Sequence, residues 1–305
     1  MSEYHTPVLL DESVSALITN PKGIYADVTF GGGGHTAAVL SRLHASGKVI
    51  AFDRDEDAIK GSPIQDKRLV LVRNNFRFIE NYAALYGVRF DGVLADLGVS
   101  SHQFDTPERG YSFRFEDAPL DMRMNAAATQ TAADLVNQAA PERLEQILRL
   151  YGEVDGAGKM ARLIVQARQE APIQTTGQLD AALARMLPKG AEHKVLAKVY
   201  QALRIEVNQE MRALEKMLEG ATRSLKTGGR LVVITYHSLE DRMVKNYMRT
   251  GNVEGREAKD PVSGRVLSPL SPVGRKPILP TEEEIAGNTR ARSAKLRIAE
   301  KVTEE

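Results

Sequence analysis

Cysteine is absent from the 305 residues, which excludes disulfides and thiolate metal sites. No apolar run reaches the roughly 18 residues that a membrane-spanning helix needs. The opening Met1-Ser2-Glu3-Tyr4-His5 lacks the basic-then-apolar pattern of a secretory signal. The expected location is therefore the cytoplasm, with no membrane partner. No spacing of histidines and carboxylates suggests a catalytic metal. A charge excess is missing too: 41 basic against 40 acidic residues leave a net +1. Dedicated nucleic-acid binders often carry more, so any attraction to a polyanion must come from local clusters.

What is present is ordinary globular composition, 42% hydrophobic and 27% charged, with an α/β rhythm in the first third. The spacing predicts strands over 24–30, 48–53, 69–72 and 91–97, with helical patterns at 36–43 and 76–86 between them. Alternating strands and helices predict a parallel, Rossmann-like sheet covered on both faces. The rhythm stops near Ser100. From there to Pro188 the pattern is helical, with no convincing strand. A long helix is expected over 191–225, broken near Arg204 and stopped by Gly228-Gly229. Residues 230–236 read as a returning strand, 251–287 as a long loop, and 293–302 as a closing strand. The domain reading is a core of 1–99 with 192–305, interrupted by a helical insertion over 100–191 that recognises substrate.

The strongest chemical signal is Asp27-Val28-Thr29-Phe30-Gly31-Gly32-Gly33-Gly34-His35. Glycines between a strand and a helix let backbone approach a ligand closely, and the helix start offers free N–H groups. Asp53 ends the second strand about twenty residues on, where a carboxylate accepts bonds from ribose hydroxyls. Asp55 is the expected cap of the helix that follows. Asp27 lies near the end of the first strand and Asp96 at the end of the fourth, the edge where such sheets bind ligands. The dinucleotide pattern G-x-G-x-x-G has its first two glycines at Gly31 and Gly33, but Thr36 holds the third place. That favours S-adenosylmethionine over a nicotinamide cofactor, leaving an oxidoreductase as the alternative.

Candidates for holding a substrate are Phe104, Tyr111, Phe113, Tyr236 and His237. His237 is a tentative catalytic residue beside Asp96, while Ser238, with Asp241 three residues on, can cap the next helix. Arg290, Arg292, Lys295 and Arg297 form the clearest basic cluster, and Arg109, Arg114 and Arg123 a second. Either group suits phosphate contact.

The chain resembles the RsmH (MraW) family of bacterial ribosomal RNA methyltransferases. The resemblance rests on His5-Thr6-Pro7-Val8-Leu9-Leu10, the Thr29–His35 turn, Asp96-Leu97-Gly98-Val99-Ser100-Ser101, Glu108-Arg109-Gly110-Tyr111-Ser112-Phe113 and Pro119-Leu120-Asp121-Met122-Arg123-Met124. It continues through Gln201-Ala202-Leu203-Arg204-Ile205-Glu206-Val207-Asn208, His237-Ser238-Leu239-Glu240-Asp241-Arg242 and 288–297. Gly32, Tyr236 and Thr289 depart from it, standing where a longer residue, Phe and Pro are frequent. The resemblance implies a class I methyltransferase fold and N4-methylation of one cytidine in the decoding region of 16S ribosomal RNA, within the small subunit. It also implies that Gly33, Gly34, His35, Asp53, Phe76, Asp96 and Gln103 contact S-adenosylmethionine. An inactive ribosome-assembly factor on the same fold is the second alternative.

Overall fold

A computed structural model describes residues 7–115 and 117–303, so His5 and Thr6 of the first motif lie outside the described residues. Strands β1 (Ile24–Asp27), β2 (Lys48–Asp53), β3 (Leu69–Arg73), β4 (Phe90–Asp96), β5 (Leu225–Thr235), β6 (Leu270–Pro272) and β7 (Lys295–Lys301) form one sheet in the order β3-β2-β1-β4-β5-β7-β6. β1 to β5 are parallel, and β7 runs antiparallel to β5 and β6. The helices are α1 (Leu10–Leu17), α2 (Gly34–Arg42), α3 (Glu56–Lys60), α4 (Ile79–Leu85), α5 (Ser101–Asp105), α6 (Ala132–Gln138), α7 (Pro141–Gly152), α8 (Ala157–Glu170), α9 (Thr176–Leu183), α10 (Glu192–Asn208), α11 (Glu210–Ser224), α12 (Ser238–Thr250) and α13 (Glu282–Gly287).

Two compact units result, 1–98 with 211–305, and 99–210. In the first, strand side chains alternate between faces, and both faces are buried. Ala26, Ile50, Phe52, Val93 and Val233 pack with Met217 and Leu218 of α11 and Val244 of α12. Tyr25, Val49, Leu94, Val232 and Ile234 pack on the other face with Val14 and Leu17 of α1 and Val39 and Leu40 of α2. This explains why the strands read as nearly unbroken apolar runs. β1 lies between β2 and β4, so the chain reverses direction across the sheet there. The ends of β1 and β4 thus flank the crevice where such sheets take ligands.

The second unit is helical around its own core, including Leu144, Ile147, Ile164, Leu179, Val199 and Leu203. Its only extended pairing among the described residues is the isolated bridge Pro119–Thr175. Asn208 ties the unit together: its carbonyl oxygen accepts from Met124 N at 2.8 Å and its amide donates to Met122 O at 2.7 Å.

Several boundaries differ from the sequence reading: β1 ends at Asp27 rather than Phe30, and β5 starts at Leu225, so Gly228-Gly229 lie within it rather than stopping a helix. The insertion runs to Glu210 rather than 191, because α10 buries Leu196, Val199 and Leu203 in the helical core. The long helix is two helices, broken not at Arg204 but at Gln209, which takes a left-handed φ of 50°. Within the expected loop 251–287 lie β6 and α13, the latter capped by Thr281, whose hydroxyl accepts from Glu284 N at 3.1 Å.

Candidate active site

The glycine turn is built around two carboxylates. Val28 N donates to Leu94 O and Phe30 N to Phe52 O, so the chain leaving β1 stays stitched to both neighbours. Gly31 then turns at φ 51°, and its N–H donates to Asp53 Oδ2 at 2.8 Å. Gly33 takes φ 81°, and a Cβ there would lie 2.9 Å from the Phe30 ring. A Cβ on Gly34 would lie 2.3 Å from Pro7 Cγ. Any side chain at either position must displace the packing that shapes the turn. α2 begins at Gly34, and the N–H groups of its first turn have no acceptor within the helix.

Asp53 Oδ1 accepts from Asp55 N at 2.8 Å, so each of its oxygens receives one backbone N–H and keeps a second lone pair. Burial pushes its carboxyl above the usual range, against the opposing bonds from Asp55 and Gly31. Asp55 caps α3 as expected, accepting from Asp57 N.

Asp27 is buried and accepts from Thr36 Oγ1 at 2.6 Å and from Thr29 N at 3.1 Å. Burial raises its carboxyl too, partly offset by His35. The Thr29 hydroxyl in turn accepts from Asp96 N at 2.6 Å. Thr29 and Thr36 thus lock the turn to β1 and β4. The sequence motif contained both, but nothing in it marked their partners.

Asp96 ends β4 with its side chain 23% exposed. Oδ1 accepts from Tyr236 Oη at 2.7 Å, and Oδ2 lies 3.7 Å from His35 Nδ1. The other nitrogen of His35 sits 3.2 Å from Val8 O. A carbonyl only accepts, so Nε2 donates there and holds the imidazole in place. Burial pushes the Asp96 carboxyl up to about 6, with His35 and the Tyr236 hydroxyl pulling the other way and Asp27 and Glu240 adding to the rise. Burial, and the carboxylate beside it, carry the Tyr236 phenol well above its ordinary range.

Phe76, just after β3, sits half-buried against the sheet's core, its short helical turn capped by Asn75. Gly33, Gly34, His35, Asp53, Phe76 and Asp96 therefore belong to one unit, and the first three sit with Asp53 and Asp96 around the turn. Gln103 belongs to the helical unit, where it exchanges bonds with Ser100: its Oε1 accepts from Ser100 N, and its N–H donates to Ser100 Oγ.

Other candidates are differently engaged. His237, rather than Ser238, caps α12: its Nδ1 accepts from Glu240 N at 3.4 Å, and its Nε2 lies 3.1 Å from Glu240 Oε1. Glu240, not Asp241, is the residue that His237 caps, and its Oε2 accepts from Tyr236 N, one residue before the cap. Asp241 instead grips Arg297 at 2.7 Å and Lys295 at 3.4 Å. Burial alone would raise the Asp241 carboxyl, but those two cations hold it below its usual range. Arg297 is thus an internal ion-pair partner, whereas Arg292 is exposed. In the helical unit Arg109 donates to the carbonyls of Arg123 and Met124, and Arg123 pairs with Asp121 at 2.7 Å. Arg114 is exposed, with its guanidinium over the Phe104 ring. Tyr111 is buried in the helical core, and Phe113 stacks on His193.

The set fits a nucleoside with a charged tail: a glycine turn that excludes side chains, free helix N–H groups, a ribose-type carboxylate at Asp53 and a half-open carboxylate at Asp96. The MraW methylase family model matches residues 2–302. A ribosomal RNA small subunit methyltransferase H from Phocaeicola vulgatus is 55% identical over 299 residues, 98% of this chain and 97% of the relative. The protein of the same name from Bacteroides thetaiotaomicron is 54% identical with the same coverage. That from Flavobacterium johnsoniae is 50% identical over 301 residues, 98% of each chain.

Proposed function

The chain belongs to the MraW methylase family, and from that premise we propose that it methylates small-subunit ribosomal RNA, at N4 of one cytidine in the decoding region of 16S RNA. Its cofactor is S-adenosylmethionine. The observation that carries the reading is the half-open Asp96 carboxylate at the same sheet edge as the glycine turn and Asp53, in a chain similar end to end to proteins bearing that name.

Bound there, S-adenosylmethionine supplies an electrophilic methyl group. Asp53 holds the ribose hydroxyls with its remaining lone pairs. The N–H groups at Gly34 and His35 bind the cofactor from the start of α2, Gly33 lets the backbone approach it closely while its own N–H stays on Phe30 O, and Phe76 packs against it. A cytosine amino group is a poor nucleophile because its lone pair is spread into the ring. Asp96 Oδ2 accepts a hydrogen bond from that amino group, which localises the lone pair on nitrogen, and then takes the proton the nitrogen must lose. A carboxyl near 6 is ionised at neutral pH and still basic enough to serve. His237 caps α12 through Nδ1, and the catalytic role goes to Asp96, the partly exposed carboxylate at the sheet edge beside the glycine turn. The helical unit, entered directly after Asp96-Leu97-Gly98, recognises the RNA, with Arg114 there and Arg292 in the sheet unit as phosphate contacts.

A ribosome-bound protein of this kind works in the cytoplasm. Among the described residues no helix is long and apolar enough to cross a membrane. The test is transfer of labelled methyl to small subunits from a strain lacking the enzyme. No transfer by folded, cofactor-binding protein would favour the assembly-factor alternative.

A further inference from the structure

The two oxygens of Asp96 are treated differently. Oδ1 accepts from the Tyr236 hydroxyl at 2.7 Å. Oδ2 faces His35 Nδ1 at 3.7 Å, beyond hydrogen-bond range. Both partners of the short bond are fixed by backbone. Asp96 N donates to Thr29, Asp96 sits opposite Ile234 in the β4–β5 register, and Leu97 N donates to Ile234 O at 3.0 Å. Tyr236 follows two residues later, and its own N–H is held by Glu240 Oε2 at 3.0 Å. The Tyr236 ring lies against the backbone just past Asp96: a Cβ added to Gly98 would sit 3.3 Å from it. A phenol so confined has one place to put its hydrogen.

We infer that Tyr236 is a positioning residue: its hydroxyl occupies Oδ1 and fixes the Asp96 carboxylate, so that Oδ2 alone is presented to the amino group being methylated. The inference rests on the role given to Asp96 above. A carboxylate's last torsion is broad, so without the phenol the carboxylate plane rotates away from the orientation that aims an oxygen at the amino group. The phenol also favours the ionised carboxylate, because it donates to the charged form. The other groups that act on Asp96 are Asp27 from β1, His35 from α2 and Glu240 from α12, and Glu284 of α13 acts on Tyr236. His35 favours ionisation of Asp96, and Asp27 and Glu240 oppose it. None of them changes when the hydroxyl alone is removed.

Tyr236→Phe is therefore the test, because it keeps the ring against Gly98. The direct readout is the carboxyl resonance of Asp96 in carbon-13-labelled, cofactor-free protein, identified by its loss in Asp96→Asn. Its titration should move up by about one to two pH units, the size expected for one hydrogen bond to a charged group. The acid limb of kcat should move with it. Turnover at pH 6.5 should drop at least about tenfold, and at high pH the gap should narrow to a plateau that stays below wild type because the carboxylate is no longer held, with KM for S-adenosylmethionine unchanged. A purely structural role would lower the melting temperature without moving the limb. An unshifted carboxyl titration overturns the coupling. A shifted titration with an unshifted pH–rate profile overturns the positioning role. If wild type itself transfers no methyl group while the titration still shifts, the coupling stands and the assigned reaction falls.

Discussion

Asp96→Asn removes a charge that burial opposes, so it should stabilise the cofactor-free protein while abolishing transfer. The carboxyl is displaced from 3.8 to about 6, and at about 1.4 kcal/mol per unit this amounts to about 3 kcal/mol. The sign follows from proton uptake. Between pH 4 and 6 the folded protein holds a proton on Asp96 that the unfolded chain has released, so wild-type stability falls across that window and the penalty is complete above it. The amide carries no charge and escapes the penalty, and its oxygen still accepts from Tyr236. Urea unfolding of both proteins from pH 4 to pH 8 measures this, because titrating groups that do not interact with Asp96 cancel in the difference. The variant's advantage should open between pH 4 and 6 and reach up to about 3 kcal/mol at neutral pH. Parallel curves would mean the carboxyl titrates normally, and its assignment as a base poised near neutrality would fail.

Gly33→Ala should abolish S-adenosylmethionine binding by calorimetry, since φ 81° costs a side chain about 1–2 kcal/mol and the new Cβ meets the Phe30 ring. Unchanged affinity in a folded variant would remove the turn from the cofactor site. Asp53→Ala should weaken cofactor binding about tenfold or more through lost charge-assisted hydrogen bonds, with RNA affinity unaffected. A variant that binds cofactor normally and RNA poorly would contradict the ribose role. Arg292→Ala should lower the salt slope of RNA binding by a little under one unit, while Arg297→Ala should leave the slope alone and lower the melting temperature instead. Equal slopes for wild type and Arg292→Ala would place the phosphate contacts elsewhere.

The parts of this molecule written in local pattern were legible. Buried parallel strands announce themselves as apolar runs, and a strand ending in four glycines before a helical pattern marked the turn, with Asp53 and Asp96 at their strand ends. β6 escaped because three residues ending in Pro272 carry no periodicity. The break at Gln209 escaped because a non-glycine residue in a left-handed conformation leaves no compositional mark. α10 was assigned to the wrong unit because its apolar stripe shows that it packs, not on what. The largest gap concerned partners distant in sequence. Arg297 read as a free cation until Asp241, 56 residues away, was placed against it. Tyr236 read as a candidate for holding substrate, with no sign that its hydroxyl reaches Asp96 across 140 residues. The cap of α12 was misplaced by one residue, because Ser238 is the stronger capper by type and His237 holds the position by geometry.

The central claim is tested most directly by mapping the product. Small ribosomal subunits from a strain lacking the enzyme are incubated with the purified protein and labelled S-adenosylmethionine, and their RNA is digested and sequenced by mass. The account predicts one added methyl group, on N4 of a single cytidine in the decoding region, and none with Asp96→Asn. Label on another nucleoside or on ribose, or full transfer by the Asn variant, would contradict it.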